Sequence, residues 1–288
     1  MSIREKGYHK WQGELKKTAV PWLPIFNNGI KTAFKKKYAK ALFSMAIGHF
    51  LVFLGGIYAS TKPELRMFSE IVELLKNDAL FFSTFFTNGF IMFALLVLCF
   101  FVFADLISGD LRTNSFPLYF SRPLDRKDYV LGKFSIIMFY LLLFTLVPGF
   151  LLVIFKFLFA GSFTLAPGVL FGLIMVPLLL SSFLSAITLM ISSLSSNSRY
   201  VKIILLLFFI FSNSLAEILK GIFKSTYFNL FSVGRNLEQL GAYIFDIRPA
   251  FSVPGWMSLA FVLGFILLSF IIIFKKIGKS EAQIEIGS

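Results

Sequence analysis

The chain has 288 residues, of which 57% are hydrophobic, 18% aromatic and only 15% charged, against about 25% charged in a soluble domain. Several apolar runs reach the roughly 18 residues that mark a spanning helix, which excludes a soluble globular domain and implies an all-alpha polytopic membrane protein. The net charge of +13 is concentrated early, with ten of the 28 basic residues before Leu42 against only Glu5 and Glu14, so it indicates a flank facing anionic lipid and argues against nucleic acid as a partner.

Residues 1–41 are expected to form a basic cytoplasmic arm. No cleavable signal peptide is legible in the first 28 residues, where Pro21 and Pro24 interrupt the mildly apolar part. Asn28 is placed to cap an amphipathic interfacial helix from Gly29, with Ile30, Phe34 and Tyr38 at i, i+4 spacing and Lys31, Lys35, Lys36 and Lys37 mostly on other faces. A plain positive-inside flank is the alternative. Residues 42–274 form the transmembrane domain, with six spans at 42–60, 80–103, 134–155, 167–192, 200–216 and 256–274. Residues 275–288 are expected to be a cytoplasmic tail without a fold. Inside segments then hold 20 basic and 8 acidic residues against 8 and 7 outside, which places both termini in the cytoplasm.

Within the spans, His49 reads as a packing histidine. Ser83, Thr84, Thr87 and Asn88 in the second span, and Asn213 in the fifth, are candidates to line a substrate path or to hydrogen-bond a neighbouring helix. The segment from Glu217 to Gly255 is too polar for a span and too apolar for a free loop, so it reads as a pair of short, partly buried outer helices.

Between the second and third spans lies a charged island, Ala104 to Lys133, with nine charged residues in an otherwise apolar neighbourhood. Ser108, Gly109 and Asp110 are placed to open a short helix along the membrane face. Arg122-Pro123 turns it, because a residue before proline leaves the helical region, and the chain returns to the membrane from Tyr129. Asp105, Asp110, Asp125 and Asp128 are more readily matched to Arg112, Arg122, Arg126 and Lys127 than to a cation.

No catalytic constellation emerges: His9 and His49 are far from the serine-rich stretch 192–198, Cys99 is alone, and there is neither a metal site nor a Gly-rich phosphate-binding loop of the GxxxxGK[ST] form. The span cores contain essentially no acids of the kind that ion-coupled carriers use. The chain is therefore expected to be neither an enzyme nor an autonomous carrier, with no cofactor of its own.

The sequence Ser108-Gly109-Asp110, Arg112, Leu118-Tyr119, Ser121-Arg122-Pro123-Leu124, Arg126, Tyr129 and Val130-Leu131-Gly132-Lys133 resembles the inner loop of the ABC-2 type permeases, the membrane subunits of type V ABC exporters. The layout of the whole chain is similar. The resemblance implies a permease half in a prokaryotic cytoplasmic membrane, paired with a second copy or a homologous permease. Each half would dock an ABC ATPase subunit, which would hold the ATP and Mg. Asp110, Arg112, Leu118, Tyr119, Arg122, Arg126 and Lys127 would form the ATPase-coupling helix, with Pro123, Gly132 and Lys133 shaping the turn and the return. Export of an amphipathic or lipid-like substrate is the leading expectation. The alternative is mechanical work on an outer-side protein partner through residues 217–255, with a secondary carrier third.

Overall fold

Runs of Phe, Leu, Ile and Val destined for hydrocarbon must satisfy every backbone N–H and C=O within their own segment, and the helix does so. The structure, a computed structural model, describes residues 20–62, 74, 75, 77–120, 124–160 and 165–287. Its helices are α1 (Leu23–Lys35), α2 (Lys37–Ser60), α3 (Asp78–Thr87), α4 (Gly89–Leu98), α5 (Ser108–Arg112), α6 (Phe116–Phe120), α7 (Arg126–Ala160), α8 (Pro167–Leu194), α9 (Ser198–Phe223), α10 (Val233–Ile244) and α11 (Gly255–Gly287), with a π turn at Cys99–Phe103 and a 3-10 turn at Thr226–Phe231. Six segments are long and apolar enough to cross a membrane: Lys37–Ser60, Asp78–Arg112, Arg126–Phe159, Pro167–Leu194, Ser198–Phe223 and Gly255–Lys279. The protein is thus an integral membrane protein built as a six-span helical bundle, the generic architecture of a permease.

The leading helix starts earlier than Gly29. Pro24 stands at the first turn of α1, where its missing N–H leaves nothing unpaired and its fixed φ suits the helix. Asn28 lies inside α1, and its carbonyl accepts a hydrogen bond from the Thr32 hydroxyl at 2.9 Å. Lys36 is extended (φ −68°, ψ 126°) and separates α1 from α2. The helix α1 packs across α7, which makes room with glycine: a methyl added at Gly132 would stand 2.9 Å from Ile25 Cβ and 3.2 Å from the Trp22 carbonyl oxygen. Tyr140 of α7 donates to the Ile30 carbonyl at 3.0 Å, and Phe34 lies 4.9 Å from the Tyr140 ring.

The second span is discontinuous. Asn88 is extended (φ −66°, ψ 157°), its side-chain oxygen accepts from the N–H groups of Phe90 and Ile91, and its amide donates to the Thr84 carbonyl at 2.9 Å. One side chain therefore caps both sides of the break between α3 and α4, as apolar surroundings require. His49 of α2 is buried beside it, stacked 4.8 Å from Phe85 and hydrogen-bonded to the Phe85 carbonyl at 3.1 Å.

At the centre stands α8, with Ser181, Ser185, Thr188 and Ser192 all buried along one face. These positions follow helical spacing, so small polar residues meet the neighbouring helices in a line. From its start beside α5, the 26-residue α9 spans about 39 Å and leads to the far end of the bundle. There the expected pair of short helices is a 3-10 turn followed by the single amphipathic α10, whose Val233, Leu237, Leu240 and Gly241 are buried. Gln239 ties the return strand of backbone to α10, accepting from the Phe251 N–H at 3.2 Å and donating to the Val253 carbonyl at 2.8 Å.

The expected foldless tail is helical instead. Helix α11 continues through Lys275, Lys276 and Lys279 to Gly287, because Ile273 and Ile277 remain buried against the bundle. Gly278 faces the Arg126 guanidinium, whose Nη1 would lie 2.8 Å from an added methyl.

The close crossing of α1 over α7 gives a direct expectation. Gly132→Leu forces apart two backbones and should lower stability by about 1–3 kcal/mol. Gly48→Ala, where the added methyl meets nothing within 4 Å, should change stability by less than about 1 kcal/mol. Thermal unfolding of the two purified variants in one detergent measures the difference.

Candidate functional site

The island between the second and third spans folds as a knob of two single-turn helices. Helix α5 ends at Thr113, and the chain reverses at Asn114, whose φ of 49° is left-handed. Asparagine tolerates this conformation better than most residues. Pro117 then sits in the first turn of α6, where it removes no intrahelical hydrogen bond. At the start of α7, the Asp128 carboxylate reaches back to the Asp125 N–H at 3.3 Å and favours the unpaired N–H groups there. Ser121, Arg122 and Pro123 lie outside the described residues.

Four elements hold the knob. Ser192, near the end of α8, accepts hydrogen bonds from the N–H groups of Ile107 and Ser108, both at 3.0 Å, and donates to the Ala104 carbonyl at 2.9 Å. A single hydroxyl thus meets three backbone groups that the irregular chain after the π turn leaves unpaired. Ser108 in turn hydrogen-bonds Ser198 of α9 at 3.2 Å. Lys36, in the break between α1 and α2, donates to the Val102 carbonyl at 2.6 Å and pairs with Asp105 at 2.9 Å.

The fourth hold is the strongest electrostatically. Asp110 is only 17% exposed and Lys133 7%, and their charged atoms are 2.7 Å apart. The Tyr129 hydroxyl donates to the same Asp110 oxygen at 2.6 Å. Lys133 also donates to the Leu106 carbonyl at 3.0 Å and lies over the rings of Tyr119 and Tyr129 at 5.6 and 5.4 Å. Two buried opposite charges with several hydrogen bonds in a low-dielectric setting fix position firmly.

These contacts divide the candidate coupling residues into two groups. Asp110, Tyr119 and Lys133 turn inward, with Tyr129 as the member that the sequence pattern placed only as the return point. Gly132 and Lys133 stand inside α7, about two turns from its start, and Gly132 serves the crossing with α1. Arg112, Arg126 and Lys127 are all exposed, as is Leu118, which at 74% is the most exposed large hydrophobic residue among the described ones. Arg112 and Lys127 pair with no carboxylate among the described residues.

The polar residues considered for a substrate path fall into two places. Ser83 and Thr87 pack under Gly241 of α10, where an added methyl would approach Thr87 Cγ2 to 2.8 Å. Thr84 and Asn88 serve the helix break. Asn213 lies towards the other end of α10, accepting from the Ser232 hydroxyl at 2.6 Å. Beside it, α9, the 3-10 turn and α11 enclose a cleft of about 510 Å³ lined by Phe208, Ser212, Tyr227, Phe231, Phe261 and Phe265. It is almost wholly apolar.

Ser192 and Lys36 were not singled out by the sequence, although the 181–185–188–192 stripe is visible at helical spacing. No group of three or more potential metal-ligating side chains occurs among the described residues. No protein-family model matches the chain, and no curated protein matches its sequence.

Removing one member of the buried pair leaves the other charge uncompensated, so Lys133→Met should cost about 3 kcal/mol. In a cycle with Asp110→Leu, the double variant should recover part of that loss, with a coupling of about 1–3 kcal/mol. Chemical unfolding of the four proteins in detergent reads both values. Equal and additive losses would show that the pair does not hold the knob.

Proposed function

We propose that this chain is the membrane-spanning permease subunit of an ATP-binding cassette exporter of the ABC-2 type. A separate ATPase subunit binds ATP and Mg and docks on the knob, and this chain performs no catalysis. The observation that carries the proposal is the exposed Leu118, on a knob that also exposes Arg112 and is anchored from within by Asp110, Tyr129 and Lys133, next to the exposed Arg126 and Lys127 that open α7. An exposed apolar side chain on a segment that also exposes cations suits an apolar cleft rimmed by carboxylates, and buried apolar anchors of this kind dominate binding. In this reading the knob faces the cytoplasm, as do both termini, and the membrane is a prokaryotic cytoplasmic membrane.

The knob can transmit motion because it is joined to several helices at once. Closure of the ATPase pushes α5 and α6, the Asp110–Lys133 pair carries the push to α7, and Ser192 carries it to α8. In the second span, the break at Asn88 lets α4 change its angle to α3 while the helix ends remain capped, which is how hinged spans move. A second permease, either another copy of this chain or a homologue, completes the assembly. The aromatic cleft beside α9 and α11 supports an amphipathic or lipid-like substrate over a small ion, since it offers a chain-like ligand many apolar contacts.

A second reading, mechanical action on an outer-side protein partner, draws on the exposed Phe223, Tyr227, Phe231, Tyr243 and Trp256 at the far end. In reconstituted vesicles, ATP-dependent movement of a labelled lipid favours export. ATP turnover stimulated by a partner without movement favours mechanical action.

The docking assignment has its own test. Leu118→Asp combined with Lys127→Glu should weaken co-purification with the ATPase by roughly thirtyfold, the equivalent of about 2 kcal/mol at a central anchor. Thermal stability should stay near that of the native chain. Undiminished ATPase binding by this folded variant would remove the coupling role.

A further inference from the structure

We propose that the surface formed by Lys37 of α2, the π turn Cys99–Phe103 and Lys202 of α9 binds one anionic phospholipid, in the leaflet on the knob's side of the membrane. The site stands on the membrane-spanning architecture alone and is independent of the ATPase assignment. Its centre is a ladder of rings and cations contributed by three separate elements. Lys37 lies 5.3 Å from the centroid of the Tyr38 ring, Tyr38 stacks on Phe101 at 4.8 Å with 27° between planes, and Lys202 lies over Phe100 and Phe101 at 5.8 and 6.0 Å. Tyr38 and Phe101 are 45% and 37% exposed.

Charge decides what completes this ladder. Neither Lys37 nor Lys202 has a carboxylate partner among the described residues, and the nearby Asp105 is already paired with Lys36. Two uncompensated ammonium groups flanking an aromatic floor match the phosphate of a lipid headgroup, whose negative charge attracts cations at the bilayer edge. Both lysines lie at the level where their spans begin, Lys37 at the first residue of α2 and Lys202 in the second turn of α9. That is where a headgroup resides and where long lysine stems reach the interface.

The surface leading away from the cations suits an acyl chain. Leu206 and Ile210 follow Lys202 at i+4 and i+8 and therefore share its face of α9, and both are exposed. Phe93 of α4 is also exposed, two turns before the π turn. A headgroup held by the lysines thus has an apolar track for its tail, and a soluble phosphate would leave that track unused.

The test uses the full-length protein in mild detergent, titrated with phosphatidylglycerol or phosphatidylcholine, with bound lipid counted by native mass spectrometry. The native chain should prefer phosphatidylglycerol, and excess inorganic phosphate should not displace it. Lys37→Gln combined with Lys202→Gln should lower the apparent affinity for phosphatidylglycerol by about thirtyfold and leave that for phosphatidylcholine unchanged. Lys37→Arg with Lys202→Arg should retain the preference. Lys275→Gln with Lys279→Gln removes the same charge from α11 and should have no effect. An unchanged preference in the first variant, an equal loss in the last, or displacement by inorganic phosphate would overturn the proposal. So would a change from dimer to monomer in the first variant with lipid retention unaltered, since the surface would then be a protein interface.

Discussion

The arrangement depends first on one buried ion pair. Asp110 and Lys133 meet at 2.7 Å with little exposure on either side, so most of the hydration of both charges is lost on folding. Coulomb attraction alone often fails to repay that desolvation. Here the Tyr129 hydroxyl, the Leu106 carbonyl and two aromatic faces supply the missing partners. An apolar pair of similar size would restore part of the stability that a single replacement loses but would leave the orientation of α5 against α7 open. The ion pair selects a single orientation, and that choice determines which side chains of the knob face outward.

Around this fixed point, stiffness and compliance are unevenly distributed. At the knob end, Ser192, Lys36 and Lys133 satisfy carbonyls and N–H groups that the irregular chain from Cys99 to Ile107 leaves unpaired. The irregularity is therefore paired, and the knob is tied at once to α1, α7, α8 and α9. The break at Asn88 is different in kind. It depends on one side chain for both caps, and its immediate neighbours are the aromatic rings of Phe85 and Phe90. His49 of α2 adds a hydrogen bond to the Phe85 carbonyl at 3.1 Å, so the break is held by side chains of two helices.

The six spans were legible in the sequence because mean hydropathy over 18 or more residues is a property of composition, insensitive to packing details. Interruptions were harder to place. Thr87-Asn88-Gly89 lies in an apolar run where a lone asparagine equally suits an interhelical hydrogen bond, and only the backbone shows that it caps a break. Pro24 reads as a breaker until the helix is seen to begin beside it. The helical tail was hidden because Lys275, Lys276 and Lys279 dominate its composition, while Ile273 and Ile277 hold it to the bundle. Within the island, nine charges in thirty residues permit many pairings. The choice of Lys133 for Asp110, and of Lys36 for Asp105, comes from tertiary packing that no local pattern encodes.

The same pairings give meaning to the cations left over. With Asp105 and Asp110 committed to Lys36 and Lys133, the remaining positive charge at this end of the bundle divides by direction. Arg112 and Lys127 are exposed at the knob and at the start of α7, as is the apolar Leu118. Lys37 and Lys202 lie instead over the rings of Tyr38, Phe100 and Phe101. A fully neutralised island would have served topology alone. Because two acids are consumed internally, the excess basic charge is left on two surfaces of different chemistry, one suited to a carboxylate-rimmed cleft and one to a phosphate at the bilayer edge.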